Sequence, residues 1–191
     1  MRTKDLKYMH TLALKYQKEI IPEFMTKYGI KNRMAVPKLT KIVINCGIGE
    51  ALTDKKVIEK MSAQMAVITG QKPQIMKAKR AISTFKLRAG DAVGLRTTLR
   101  GVRMYDFFQK LTGIAFPRVR DFRGVPVRGF DRRGNFTVGI KEHTIFPELE
   151  YSMVDKVRGF EISFVTTAGN DTHGKALLDL LGMPFVKDQP K

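Results

Sequence analysis

Lys41 and Asn45 lie four residues apart in KLTKIVINCG, and Arg96, Thr98 and Arg100 alternate along VGLRTTLRG. If both stretches are strands, period two puts Lys41 and Asn45 on one face of the first and Arg96, Thr98 and Arg100 on one face of the second. An ammonium, an amide, a hydroxyl and two guanidiniums form a grid of hydrogen-bond donors with no nucleophile–base pair among them. The chemistry such a grid offers is recognition. Arginine grips phosphate with a planar fork, while amides and hydroxyls reach the base edges and 2′-hydroxyls of an irregular RNA. The competing reading is an ordinary solvated sheet face.

The charge distribution argues for the polyanion. The net charge is +17 over 191 residues, and +12 of it falls in two segments, 72–103 and 118–133. In the first, Lys77, Lys79, Arg80, Lys86 and Arg88 are interleaved with Ile75, Met76, Ile82 and Phe85. A merely solvated loop has no need of those apolar residues, which either dock on the domain or serve the loop itself. In the second, Arg118, Arg120, Arg123, Arg128, Arg132 and Arg133 are punctuated by Gly124, Pro126, Gly129 and Gly134, the composition of an Arg-Gly loop that can order on RNA. Charge packed this densely repels itself, so a nucleic acid that neutralises it is the expected partner. The interval 142–161 runs the other way, with Glu142, Glu148, Glu150, Asp155 and Glu161 against Lys156 and Arg158. It either faces a basic protein or balances nearby arginines.

Other function classes find little support. There is no GxSxG, no HExxH and no cysteine–histidine arrangement, so no enzyme and no cofactor are expected. GIGE at 47–50 lacks the rest of a phosphate-binding loop. RGFDRRGN and RGFEISFV begin like the signature strand of the RNA-recognition motif, but Asp131 and Glu161 stand where that signature needs Gly or Ala. Cys46 is the sole cysteine, and His10, His143 and His173 share no ligand spacing, so no metal is expected and the histidines read as surface residues. No apolar run approaches the roughly 20 residues of a membrane span, and MRTKDLKYMH has no signal core, which predicts a cytoplasmic chain with no membrane partner and no small-molecule substrate.

The elements that must position these residues follow from the hydrophobic pattern. Tyr16, Ile20, Phe24 and Tyr28 predict a helix over 5–28, re-started at Pro22 and ended by Gly29. A strand follows Pro37, and a helix over 54–69 takes Thr53 as its N-cap. Residues 72–90 read as a hairpin or a long loop with short strands. A second strand covers 93–101, and a short helix over 103–112 stops at Gly113. Strands are expected at 135–143 and 159–168, and a last helix runs from Asp171 or Thr172 to Gly182. The expected fold is a single α+β domain over 1–191: an antiparallel sheet with helices packed on one face, an open polar RNA-binding face on the other, and protruding basic loops.

Taken in order, VPKLTKIVINCGIGEA, TGQKPQIMKAKRAISTFKLRAGD, GLRTTLRGVRMYDFFQKL, PRVRDFRGVPVRGFDRRGNFTVGIKEHTIFPELEY and GFEISFVTTA closely resemble the bacterial-type family of large-subunit ribosomal protein five. The likeness spans about residues 11–186. It implies an α+β fold and a 5S rRNA-binding protein of the central protuberance, with Asn45, Gln71, Thr98 and Arg100 at the family's contact positions, beside Lys41 and Arg96 of the grid. It also implies that the basic loop of about 72–90 approaches the P-site tRNA through Lys77, Lys79, Arg80, Lys86 and Arg88. The loop-rich region of about 117–161 would bridge to a small-subunit head protein, and its arginines would add contacts to large-subunit rRNA. Cys46 stands where the family pattern has methionine, and VPVRG and DRRG are more basic than the family's usual versions. The rival readings are a general RNA- or DNA-binding module acting off the ribosome, and a nuclease or RNA-modifying enzyme.

Overall fold

A computed structural model describes residues 11–186. His10 and the first residues of the predicted N-terminal helix lie outside them. Five strands form one antiparallel sheet in the order β2-β3-β1-β5-β4: β1 is Leu39–Gly47, β2 Gln74–Lys77, β3 Ala92–Leu99, β4 Phe136–Ile140 and β5 Phe160–Thr166. With the helices, this is the α+β class expected. The described residues divide into two compact units, one comprising 11–42, 100–138 and 163–186 and the other 43–99 and 139–162.

In the first unit, helix α1 (Thr11–Lys15) passes through a π-turn at Tyr16–Ile20 into α2 (Ile21–Tyr28). The π-turn sits just before Pro22, whose missing N–H and ring would interrupt a regular ladder at residue 18. Gly29 closes α2 at φ 63°, as the sequence predicts. The Tyr16 hydroxyl donates to the Pro37 carbonyl at 2.9 Å and ties the helix to the approach of β1. Helix α3 belongs to the second unit (Lys56–Thr69), and α4 (Gly101–Lys110) returns to the first. Here Gly113 does not stop the helix. Helical turns continue as Leu111–Ala115 and Phe116–Arg118, because Leu111, Ala115 and Phe116 are buried and their burial outweighs the roughly 1 kcal/mol that an interior glycine costs. Helix α5 (Asp171–Leu181) is capped by the Asn170 side chain, which accepts from the His173 N–H at 2.8 Å, and by Gly182 in the left-handed conformation. Phe108 and Phe164 meet edge to face in this unit's core, and Phe136 stacks on Phe164.

In the second unit, α3 packs Val57, Ile58, Met61, Met65 and Ile68 inward, as its period predicts. Its start differs from expectation: the N-cap position is Lys55 rather than Thr53, and the side chain of Asp54, just before it, accepts the Lys56 N–H at 2.9 Å. His143 is also not a surface residue. It is fully buried, as is Gln64. The Arg158 N–H donates to His143 Nδ1 at 3.1 Å, and the His143 Nε2–H donates to Gln64 Oε1 at 3.0 Å. Gln64 Nε2 in turn donates to the Met153 carbonyl. Because Gln64 Oε1 can only accept, Nε2 carries the proton, and Nδ1, which accepts the Arg158 N–H, is left without one: this is the neutral Nε2–H tautomer. His173, in the first unit, is half-buried with its ring edge against Tyr28.

Burial holds His143 below its ordinary value of 6.5. An unfolded histidine therefore binds a proton that the folded one resists. The stabilisation is complete above about pH 6.5 and is lost as the pH falls below it, by up to about 1.4 kcal/mol per pH unit. Denaturation midpoints at pH 7.5, 6.5 and 5.5 should fall for the natural chain and stay flatter for His143→Gln. Equal slopes in the two proteins would assign the acid sensitivity to other groups.

A candidate nucleic-acid interface

Along β1, Ile42, Ile44 and Cys46 are buried while Lys41, Val43 and Asn45 are half-exposed. Along β3, Leu95, Thr97 and Leu99 are buried, Arg96 is exposed and Thr98 is half-exposed. The alternation read from the sequence is therefore present in both strands. Gly94 lets the two approach: a Cβ there would sit 2.7 Å from the Cys46 carbonyl oxygen. The Ile48 N–H donates to the Val93 carbonyl at 2.8 Å, and the antiparallel register begun by that bond brings Asn45 level with Arg96.

On the other side of β3, Gln74 of β2 pairs directly with Arg96, and Arg96 Nη2 donates to Gln74 Oε1 at 3.3 Å. On the other side of β1, Asn45 Nδ2 donates to Glu161 Oε2 of β5 at 3.3 Å. Gln74, Arg96, Asn45 and Glu161 thus make a row across four strands of the second unit. Gln71, just past α3, donates from Nε2 to the Thr98 carbonyl at 3.3 Å and so lies against the same strand. The structure accordingly brings together Asn45, Gln71, Arg96 and Thr98. Lys41, half-exposed on β1, and Arg100, exposed as the residue preceding α4, belong to the first unit.

Two members of the row, Gln74 and Glu161, are additions to the residues the sequence singled out. Gln74 is found once β2 is drawn, since it sits opposite Arg96. Glu161 was legible only as part of an acidic interval. A carboxylate on the donor row lowers the row's pull on phosphate in general and holds the Asn45 amide in one orientation, leaving its oxygen and second N–H for a partner.

Within the rest of the acidic interval, the cations Lys156 and Arg158 are engaged locally. Glu50 pairs with Lys156 and, at 3.2 Å, with Arg158; Asp155 pairs with Arg158 at 2.8 Å. The Arg158 side chain is 9% exposed. These bonds hold the Glu50 and Asp155 carboxyls below the ordinary carboxylate range. Local balancing of arginine and lysine accounts for this part of the interval.

The segment 72–90 resolves into strand and tip. Its first part is β2, an edge strand whose register with β3 slips between Met76 and Lys77. Beyond that bulge, residues 78–91 form a closed hairpin end. The Ala78 N–H donates to Asp91 O at 2.8 Å, the Gly90 N–H to Ala78 O at 2.9 Å and the Arg88 N–H to Asp91 Oδ2 at 2.8 Å. Lys77, at the end of β2, and Lys79, Arg80, Lys86 and Arg88, on the hairpin end, are all exposed.

The arginine-rich loop of the first unit is ordered by side chains of its own. Asp131 Oδ1 accepts the N–H groups of Arg133 and Asn135 at 2.9 and 3.1 Å, and Asp131 Oδ2 accepts from the Asn135 amide at 2.7 Å, which keeps the Asp131 carboxyl below its ordinary range. Arg118, Arg120, Arg123, Arg128, Arg132 and Arg133 are exposed around this frame.

Among the described residues no group of three His, Cys, Asp or Glu could hold a metal ion, and no helix is long and apolar enough to cross a membrane. Cys46 is buried, and burial pushes its thiol up to about 11, far from reactive. Fold and surface together define an α+β protein that presents cations and amides on rigid backbone, the outfit of a nucleic-acid-binding protein.

Comparison with known proteins narrows the class. The family model described as "Ribosomal protein L5" matches residues 32–88, and the model for the C-terminus of the same ribosomal protein family matches residues 92–185. The "Large ribosomal subunit protein uL5" of Streptococcus thermophilus is 54% identical over 176 residues, covering 92% of this chain and 98% of that protein. The proteins of the same name from Carboxydothermus hydrogenoformans and a Thermoanaerobacter species are 51% and 52% identical over 179 residues, covering 94% of this chain and 100% of each. The chain belongs to the uL5 family of large-ribosomal-subunit proteins. That is a family of structural ribosomal proteins and not of enzymes.

Proposed function

We propose that this chain is a cytoplasmic component of the large ribosomal subunit that binds 5S rRNA with the exposed face of its sheet. The row of Gln74, Arg96, Asn45 and Glu161, flanked by Gln71 and Thr98, carries the reading. It sets side-chain amides, a guanidinium and a hydroxyl on hydrogen-bonded strands, where their positions are fixed before RNA arrives. Lys41 and Arg100 add phosphate contacts. RNA shape is recognised by donors at set spacing, and charge supplies the approach.

The test is binding to 5S rRNA and to an unrelated RNA duplex of equal length over a salt series. Phosphate contacts alone weaken steeply with salt for both. A retained advantage for 5S rRNA at high salt supports the reading, and coincident curves would leave a non-specific polycation.

The hairpin carrying Lys77, Lys79, Arg80, Lys86 and Arg88 is assigned to the P-site tRNA. Its cations extend beyond the sheet on a turn held by backbone bonds. Replacing Lys77, Lys79 and Arg80 together with Ala should spare 5S rRNA binding and weaken tRNA binding to assembled ribosomes. Loss of 5S rRNA binding in that variant would reassign the hairpin. The region 117–161 is assigned to the bridge with a small-subunit head protein, with its six exposed arginines taking large-subunit rRNA and exposed Glu142 and Glu150 available to a basic protein.

A further inference from the structure

Two apolar residues at the end of the basic hairpin stand in water. Phe85 is 69% exposed and Ile82 is 45% exposed. The exposure is built in. Ile82 and Leu87 form a two-bond antiparallel bridge, Ile82 N–H to Leu87 O at 2.9 Å and Leu87 N–H to Ile82 O at 3.1 Å. Residues 83–86 close the apex as a tight turn, with the Lys86 N–H bonded to Ser83 O at 2.9 Å and Lys86 in the left-handed conformation at φ 52°. Phe85 is therefore held on a defined turn with its ring in water and, among the described residues, against no other ring. Arg80, Lys86 and Arg88 surround it in the chain, and all are exposed. A single exposed apolar side chain is ordinary on a protein surface; here the ring, beside exposed Ile82 on a closed turn and among cations, offers apolar area that a charged partner with a flat face can cover. An acidic or purely apolar protein surface would satisfy either the cations or the ring. An unpaired nucleobase and its phosphates satisfy both, since every base offers a π-face and every nucleotide a charge.

We propose that Phe85 is a stacking platform for an unpaired base of the RNA that meets the hairpin end, with the neighbouring cations holding that nucleotide's phosphates. The inference rests on the assignment of this hairpin to the P-site tRNA, so the base is one exposed in a tRNA loop. Sheet-face binding of 5S rRNA does not involve it.

The chain contains no tryptophan, so Phe85→Trp makes a sole indole reporter that keeps a stacking ring. Large subunits carrying the natural chain, Phe85→Trp, Phe85→Leu, Phe85→Ala or the Lys77/Lys79/Arg80→Ala variant would be assembled into ribosomes, and tRNA affinity measured over a salt series. The free Phe85→Trp protein would be titrated with 5S rRNA while its emission is followed. Phe85→Ala and Phe85→Leu should each lose about tenfold in tRNA affinity with the salt slope unchanged, and Phe85→Trp should retain affinity. The triple lysine–arginine variant should flatten the slope, and 5S rRNA should leave the free indole's emission unmoved. Full affinity in Phe85→Leu would show a generic apolar contact and overturn stacking. Natural tRNA affinity in the Phe85 variants with weakening in the triple variant would overturn stacking and leave the tRNA assignment standing. No effect in any variant would remove the tRNA assignment itself. Quenching by 5S rRNA, with weakened 5S rRNA binding in Phe85→Ala, would move the base to that RNA and overturn the proposal.

Discussion

Gly134→Ala is expected to destabilise the chain by about 3 kcal/mol or more. Gly134 has φ +79°, and a Cβ there would lie 2.6 Å from the Asn170 carbonyl oxygen and 2.7 Å from Ala168 Cβ. Its N–H donates to Asp171 Oδ1 at 3.0 Å and its carbonyl accepts from the Thr166 hydroxyl at 2.7 Å, so the backbone is held on both sides. The facing Gly174 of α5 comes equally close: a Cβ on it would meet Gly134 O at 2.6 Å. Overpacking costs about 1–3 kcal/mol, and a left-handed non-glycine residue adds roughly 1–2. At about 2–4 °C per kcal/mol for a chain of this size, the thermal midpoint should fall by about 6–12 °C. Gly139→Ala is the control, since a Cβ at that strand position meets nothing within 4 Å and its φ lies outside the positive range. Equal midpoints for the two variants would mean that the backbone at Gly134 moves away freely. The functional consequence lies next door: the Asp131–Asn135 turn that presents Arg132 and Arg133 ends on this contact.

The close approach of Gly134 to α5 was not legible from the sequence, where Gly134 appears only as punctuation in an arginine-rich loop. The same holds for His143, whose burial depends on Gln64, 79 residues away. Single-sequence periodicity records which face of an element is apolar, but not which polar group on another element will receive a buried donor. Where burial alternates along one strand, as in β1, or where a cap terminates a stripe, as at Gly29 and Gly182, the pattern carries the answer locally. β2 is the opposite case. Only Met76 of its four residues is even half-buried, so its sequence shows no alternation, and the strand exists because β3 supplies a partner ladder. Gln74 stayed hidden for the same reason. At Gly113 the local signal was present and lost to tertiary packing, since Ala115 and Phe116 are buried just beyond it.

Glu161 changes how the sheet face should be tested. Asn45 donates one N–H to it, so removing Asn45 deletes a donor and frees a carboxylate beside the proposed RNA site. Asn45→Ala is expected to weaken 5S rRNA binding by about 1–3 kcal/mol, the cost of leaving a bound polar group without its partner, and Thr98→Ala by a similar amount. On the affinity scale this is roughly 5- to 150-fold. Glu161→Ala separates the two contributions. If Asn45 acts on the RNA itself, Glu161→Ala should bind at least as tightly as the natural chain at low salt, where one fewer negative charge faces the phosphates. Asn45→Ala should still be weakened in a Glu161→Ala background. If Asn45 serves only to neutralise Glu161, the double variant should recover natural affinity, and the amide becomes a positioning residue. Filter binding of 5S rRNA at two salt concentrations, with thermal midpoints to show that each variant is folded, distinguishes these outcomes. Natural affinity in both Asn45→Ala and Thr98→Ala would remove the sheet face from the binding site and leave recognition to the flanking cations.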